Sequence, residues 1–129
     1  MRVTICGGGN SAHVSAGYFA SKGFTVNVLT RHPLKWNSTI KVTTDLSSWK
    51  AKGTLVGKLN RVSSNPANVV PHAEVILFCS PVNAAPEIAS SFAPFLSEGV
   101  AIGTVFAQGG FDWIIRDALG NHMSKVVDV

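Results

Sequence analysis

A short glycine-rich segment near the start of the chain contains residue types that suit phosphate binding. The pattern G-x-G-x-x-A is formed by Gly7, Gly8, Gly9, Asn10, Ser11 and Ala12. In this pattern the first glycine permits a tight turn after a strand, the second lets a pyrophosphate approach the backbone, and the small last residue lets a helix pack on the strand. The helix start then offers N–H groups and its dipole to the phosphates, and Asn10 and Ser11 can also cap it. The segment therefore predicts a dinucleotide site formed by Gly7, Gly9, Asn10, Ser11 and Ala12.

The residues after the second predicted strand bear on which dinucleotide binds. In domains that prefer NAD, an Asp or Glu about 20 residues past the glycines binds the ribose hydroxyls of the adenosine. Here Leu29 is followed by Thr30, Arg31 and His32, and none of them is acidic. Arg31 can pair with a 2′-phosphate and Thr30 can add a hydroxyl, and a charged hydrogen bond of about 1.5–3 kcal/mol would favour NADP about ten- to a hundredfold. The sequence therefore predicts NADP, with NAD as the alternative, and the competing interpretation of Arg31 is a solvated loop residue.

These residues require a strand, a turn and a helix to position them, and the hydrophobic pattern predicts all three. Val3–Cys6 is a short apolar run that ends at glycine, which is typical of a buried strand. Gly23 is a left-handed stop for the helix that follows the glycines. That helix has a small apolar face formed by Ala12, Ala16, Phe19 and Ala20. Phe24–Leu29 predicts a second strand, which completes a βαβ unit.

The second half of the chain repeats the alternation of strand and helix. Val75–Cys79 is a continuous apolar run of the kind that helices bury on both faces, and Asn83–Phe95 has helical spacing. The run Val100–Phe106, a helical stripe that starts at Phe111 and is closed by Gly120, and a strand from Lys125 follow. We therefore expect an α/β domain with a doubly wound, mainly parallel sheet of the Rossmann type. Because the chain stops inside a predicted strand, we expect residues 1–129 to be the dinucleotide-binding first domain of a longer two-domain enzyme.

Residues 31–73 have a weaker pattern. Pro33 is suited to the first turn of a short helix that runs through Trp36. Thr39–Thr43 and Thr54–Val62 are β-branched and predict two strands, and the polar residues between them, from Ser47 to Gly53, predict a turn. We interpret this region as a sheet edge with a hairpin-like insertion, followed by a helical turn over Asn68–His72.

Composition restricts the class of protein. The chain has 129 residues, of which 46% are hydrophobic and 14% charged, as in one globular domain with a core. The net charge of +4 comes from scattered basic residues, so an anionic small ligand fits better than nucleic acid. No segment reaches the roughly 20 apolar residues of a membrane helix, and no His/Cys cluster predicts a metal site. Cys6 and Cys79 lie in apolar runs, which predicts buried free thiols and a cytoplasmic protein.

Three segments, Cys6–His13, Ala73–Pro81 and Gln108–Phe111, carry a family resemblance. C-G-G-G-N-S-A-H at Cys6–His13 is similar to G-G-G-N-x-A-H, the opening motif of the octopine/nopaline (opine) dehydrogenase family. A-E-V-I-L-F-C-S-P at Ala73–Pro81 resembles the family's buried strand that ends in a small residue and proline. Q-G-G-F at Gln108–Phe111 is similar to the family's Q-A-G-F. The resemblance covers nearly the whole chain, although residues 37–70 match loosely.

The resemblance implies a function and further site residues. Opine dehydrogenases reductively condense an amino acid with a 2-oxo acid such as pyruvate, using NADH or NADPH, so these two substrates are the implied partners. The resemblance places Gln108 near the oxo acid, and it places Ser80, Pro81 and Val82 along the cofactor cleft, where ligands bind in such sheets. The family's catalytic His–Asp pair lies in a second domain, so no catalytic residue is expected within residues 1–129. His13, in the first helical turn, is expected to pack or to hydrogen-bond nearby backbone.

Two other classes remain open at this stage. Related two-domain NADP reductases, of the ketopantoate reductase or glycerol-3-phosphate dehydrogenase type, share G-x-G-x-x-A and commonly have a basic residue after the second strand. A non-catalytic nucleotide-binding module that senses redox state is the alternative from another class.

Overall fold

The computed structural model describes residues 1–44, 53–106 and 109–129. Its strands are β1 (Arg2–Cys6), β2 (Thr25–Leu29), β3 (Thr39–Thr44), β4 (Gly53–Lys58), β5 (Arg61–Ser63), β6 (Val75–Phe78), β7 (Val100–Thr104) and β8 (Val126–Asp128). Its α-helices are α1 (Asn10–Ser21), α2 (Pro66–Val69), α3 (Ala85–Phe92) and α4 (Phe111–Leu119). Short 3₁₀ turns cover Pro33–Lys35, Val82–Ala84, Ala93–Phe95 and Gly120–Lys125. Within the described residues, no helix is long and apolar enough to cross a membrane.

Six of the strands form one parallel sheet in the order β5-β2-β1-β6-β7-β8. The chain moves outward from β1 in one direction through β2 and β5, then returns to the other side of β1 and continues through β6, β7 and β8. The order therefore reverses between β1 and β6, and a crevice opens at the carboxyl ends of the strands at such a point. The predicted doubly wound parallel sheet is confirmed.

The two faces of the sheet carry separate apolar clusters. Val3 and Ile5 of β1 pack in a cluster with α1, whereas Cys6 packs with α3 and α4, because successive strand residues point to opposite faces. In the cluster that contains Cys6, the ring centroid of Phe78 lies 5.8 Å from that of Phe92 and 5.5 Å from that of Phe111. Burying a phenylalanine side chain of this kind contributes about 1.5–3 kcal/mol. The helices are thus fixed to the sheet that positions their ends.

A separate antiparallel hairpin of β3 and β4 covers the outer side of α1. The two backbones come so close that a Cβ added to Gly57 would overlap the carbonyl oxygen of Gly17. A Cβ added to Gly17 would lie 2.8 Å from the side chains of Ile40 and Val42. Glycine at positions 17 and 57 is therefore what allows the hairpin to pack directly on the helix.

The prediction of one strand over Thr54–Val62 is wrong, because the chain changes sheets within it. Leu59 N–H donates to the carbonyl of Ser38 in the hairpin region (2.7 Å), but the next N–H, of Asn60, donates to Val26 in β2 (2.8 Å). The Asn60 side chain also donates to the side chain of Asn27 (2.9 Å). These partners are distant in sequence, so the β-branched pattern does not reveal the break.

The other predicted elements differ from the structure only at their ends. The helical turn predicted over Asn68–His72 begins earlier, at Pro66, because the side chain of Asn65 accepts a hydrogen bond from Ala67 N–H and proline suits the first turn. The run predicted through Phe106 ends as a strand at Thr104. The turn predicted between Ser47 and Lys52 lies outside the described residues.

Candidate functional site

The glycine turn after β1 is where three elements meet. Gly7 N–H donates to the carbonyl of Leu29 at the end of β2 (3.1 Å). A Cβ added to Gly7 would lie 2.7 Å from the carbonyl oxygen of Cys79 and 3.3 Å from Cβ of Ala12, and its φ is +149°. Gly9 differs, since no atom of residues 1–44, 53–106 and 109–129 lies within 4 Å of its added Cβ and its φ is −87°. Gly7 is thus required by the fold, whereas Gly9 leaves open space above the turn.

Helix α1 begins at the open side of this turn. Gly9 is its N-cap, and no side chain caps the helix, so the predicted capping by Asn10 and Ser11 is wrong. Asn10 is exposed, Ser11 is half-buried and Ala12 is fully buried against the sheet. The first N–H groups of the helix therefore remain available for an anion.

His13 packs beside the turn in the way the sequence predicts. Its Nδ1 lies 2.9 Å from the carbonyl oxygen of Gly9, and because a carbonyl only accepts, Nδ1 carries the proton and donates. Its ring stacks on Trp36, with centroids 3.6 Å apart and 12° between the ring planes. The side chain thus holds the carbonyl of the turn.

The end of β2 carries Thr30 and Arg31 on the other side of the glycines. Thr30 is buried, and its N–H donates to the carbonyl of Ser63 in β5 (3.0 Å). Arg31 is exposed and its Nη2 lies 3.4 Å from Oε2 of Glu87, a residue of the first turn of α3. No acid follows β2 in sequence, but the fold brings a carboxylate to Arg31 from 56 residues further along.

The end of β6 supplies the third wall. Cys79 N–H donates to the carbonyl of Cys6 (2.8 Å), which holds the two strand ends together. Ser80 follows, and its Oγ is buried with no hydrogen-bond partner among the described residues. Pro81 is exposed, and the half-buried Val82 begins the 3₁₀ turn that leads into α3. A buried hydroxyl without a hydrogen-bond partner destabilises the fold unless a ligand or a water molecule forms a hydrogen bond with it.

A cleft of about 550 Å³ lies at the carboxyl ends of β1, β2, β5 and β6. Of the predicted site residues, it brings together Gly7, Thr30, Arg31 and Ser80. Gly9, Asn10, Ser11, Ala12, Pro81 and Val82 lie in the adjoining turns and the first turn of α1 but are not among its lining residues, and Gln108 lies outside the described residues. The residues that sequence reasoning missed are Gly8, Ser64, Ala84, Glu87, Ile88 and Ser91. Three of these six, Glu87, Ile88 and Ser91, come from α3, and only the three-dimensional path of that helix reveals them.

Both cysteines near the cleft are buried free thiols, as predicted. Burial raises the pKa of the Cys6 thiol far above its ordinary value, and nearby Cys79 raises it further. Burial also raises the pKa of Cys79, although its hydrogen bond to Ser15 (Sγ–Oγ 3.7 Å) acts in the opposite direction. At neutral pH both are therefore protonated and poor nucleophiles.

Several known proteins similar to this chain are opine or octopine dehydrogenases. No family model matches the chain. An opine dehydrogenase of Haliotis discus hannai is 31% identical over 98% of this chain and 34% of its own length, and an octopine dehydrogenase of Mizuhopecten yessoensis is 28% identical over the same shares. A solved octopine dehydrogenase with NADH and L-arginine is 25% identical, with a TM-score of 0.89 over 98% of this chain and 34% of that one. The chain thus spans about a third of the length of the relatives it matches.

The reductase alternative shares the fold at a greater distance. A ketopantoate reductase from Ralstonia eutropha superposes with a TM-score of 0.73 and 21% identity, over 99% of this chain and 40% of that one. Identity at this level shows a common fold alone. The resemblance seen in the sequence motifs is confirmed over 98% of the chain, which corresponds to the N-terminal part of the opine and octopine dehydrogenases.

Proposed function

We propose that residues 1–129 bind a nicotinamide dinucleotide as the first domain of an opine dehydrogenase-like oxidoreductase, with NADPH favoured and NADH the alternative. The observation that carries the proposal is the cleft at the carboxyl ends of β1, β2 and β6, where the glycine turn meets the open start of α1. Ligands of doubly wound sheets bind in this place. A cytoplasmic location is part of the proposal and rests on the two free thiols.

The residues at the cleft fit such a ligand. Open space above Gly9 gives a pyrophosphate room to reach the N–H groups of Asn10 and Ser11, while the buried Ala12 keeps the helix close to the sheet. The Oγ of Ser80, which has no hydrogen-bond partner in the described part of the chain, supplies a buried polar group that a ligand can satisfy. In the proposed site Pro81 and Val82 extend this wall at the end of β6.

Arg31 supports the preference for NADPH. Thr30 and Arg31 follow β2, where an adenosine ribose lies in domains of this class, and a guanidinium there suits a 2′-phosphate. Its side chain is 75% exposed at the cleft and can reach a ligand.

In the proposed reaction the amino group of an amino acid condenses with the keto group of a 2-oxo acid such as pyruvate, and loss of water leaves a C=N bond. NADPH or NADH, when bound, would supply the hydride that reduces this bond. In this assignment residues 1–129 bind and orient the cofactor, Gln108 lies near the oxo acid, and the acid–base residues belong to a further domain. We therefore expect the chain alone to bind NADPH without oxidising it when pyruvate and amino acids are present. Turnover by the chain alone would contradict this division of roles.

Dinucleotide binding is tested by titrating the chain with NADPH and NADH, alongside Gly9→Val. Position 9 has an extended backbone and no neighbour within 4 Å of a Cβ, so valine is accommodated in the fold but occupies the space in front of the helix. We expect Gly9→Val to weaken binding at least about tenfold with an unchanged melting temperature. Gly53→Val is the matched control, because a Cβ added to this residue of β4 also has no atom of the described residues within 4 Å. No binding by the native chain, or equal binding by Gly9→Val, would refute the proposal.

A further inference from the structure

The guanidinium of Arg31 forms an ion pair with the carboxylate of Glu87 across the opening of the cleft. Nη2 of Arg31 and Oε2 of Glu87 are 3.4 Å apart, and both residues line the cleft. Arg31 comes from the loop after β2 and Glu87 from the first turn of α3. The two side chains are 75% and 80% exposed. An ion pair this exposed contributes little to folding, so its consequence lies in what the cleft can bind.

We propose that Glu87 is a specificity-determining residue that weakens the preference of this cleft for NADP over NAD. The inference rests on the proposed function, which assigns the 2′-phosphate of NADP to Arg31. A phosphate monoester carries nearly two negative charges at neutral pH. It must therefore compete with the Glu87 carboxylate for the guanidinium and bind beside a like charge.

The same carboxylate has little effect on NAD. The adenosine ribose of NAD carries two neutral hydroxyls, which neither repel Glu87 nor need the full charge of Arg31. The Glu87 carboxylate thus weakens the binding of NADP but not that of NAD. Its effect is opposite to that of Arg31, and it reduces the difference between the affinities for NADP and NAD.

The test is Glu87→Gln, which removes the charge and keeps the shape of the side chain. At low salt we expect NADPH to bind about three- to tenfold more tightly, from the interaction of a unit charge with a phosphate a few ångströms away in water. NADH affinity is expected to stay within about twofold. Raising the salt concentration from about 0.05 M to about 0.5 M should shrink the gain, because exposed charges are screened.

Glu98→Gln is the matched control. Glu98 is exposed and precedes the amino end of β7, whereas the cleft lies at the carboxyl ends of the strands. Glu98→Gln therefore removes the same net charge without changing a residue that lines the cleft. An equal gain in NADPH affinity for Glu98→Gln would overturn the proposal in favour of overall charge. A marked loss of NADH affinity in Glu87→Gln would overturn it as well, since Glu87 would then contact the ribose hydroxyls.

Arg31→Ala separates failure of this inference from failure of the proposed function. If Arg31→Ala weakens NADPH selectively but Glu87→Gln changes neither cofactor, only the role of Glu87 is refuted. If Arg31→Ala changes neither cofactor, the assignment of the 2′-phosphate to Arg31 fails first. We expect the gain from Glu87→Gln to be smaller in the Arg31→Ala background, because no guanidinium is released there.

Discussion

Two glycines of one motif have different physical roles, and substitution by alanine separates them. At Gly7 an added Cβ lies 2.7 Å from the carbonyl oxygen of Cys79, and the backbone has a φ of +149° that alanine rarely adopts. Overpacking of this kind costs about 1–3 kcal/mol, and an unfavourable backbone conformation costs about 1–3 kcal/mol more. At Gly9 neither cost arises, because no atom lies within 4 Å and φ is −87°.

We therefore expect Gly7→Ala to lower the free energy of unfolding by about 2–6 kcal/mol. In a domain of this size each kcal/mol corresponds to about 4 °C, so the melting temperature should fall by about 8–24 °C. Gly9→Ala should melt within about 2 °C of the native chain. Thermal unfolding followed by circular dichroism measures both, and urea unfolding gives the free energies.

The reasoning would be refuted by a Gly7→Ala variant as stable as the native chain. It would also fail if Gly9→Ala lost as much stability as Gly7→Ala, because the contacts of the added Cβ would then not decide the outcome. Loss of cofactor binding by both variants, with loss of stability by Gly7→Ala alone, is the pattern that the contacts predict.

Two further predictions concern the hairpin and the thiols. Gly57→Ala should destabilise the fold by about 1–3 kcal/mol in urea unfolding, because its Cβ meets the backbone of Gly17, whereas Gly53→Ala in the same strand should not. Since burial raises the pKa of Cys6 and Cys79 above the ordinary value of 9.0, the unfolded thiols ionise first as the pH rises. The stability that the chain has below pH 9.0 should therefore decrease progressively as the pH rises above 9.0. The decrease should be smaller when both cysteines are replaced by alanine, and an identical pH slope in that variant would contradict this account.

The elements that the sequence predicts best are those whose signals are local. The strand before Gly7, the helix after Gly9 and the strand ending at Leu29 follow from apolar periodicity and from glycine at the turns, and each is within two residues of its predicted ends. The parallel arrangement of the main sheet follows from the alternation of strand and helix, because parallel strands require crossover connections.

The break between β4 and β5 at Asn60, in contrast, has no local signal in the sequence. Residues 54–62 contain β-branched residues in both halves, and both β4 and β5 satisfy the same strand pattern. Which sheet each half joins depends on whether its N–H groups meet Ser38 or Val26, and these partners lie far away in the chain. Propensity therefore identifies extended backbone here but cannot assign its neighbours.

The same distinction between neighbours in sequence and neighbours in space applies to the charges of the cleft. The rule for cofactor choice examines the end of β2, and at Thr30 and Arg31 it finds no acid. The cleft, however, is also bounded by α3, which brings Glu87 to within 3.4 Å of that arginine. A ligand responds to the sum of nearby charges, not to their order along the chain. Cofactor preference in this cleft should therefore depend on both walls, and replacing either Arg31 or Glu87 should shift it, in opposite directions.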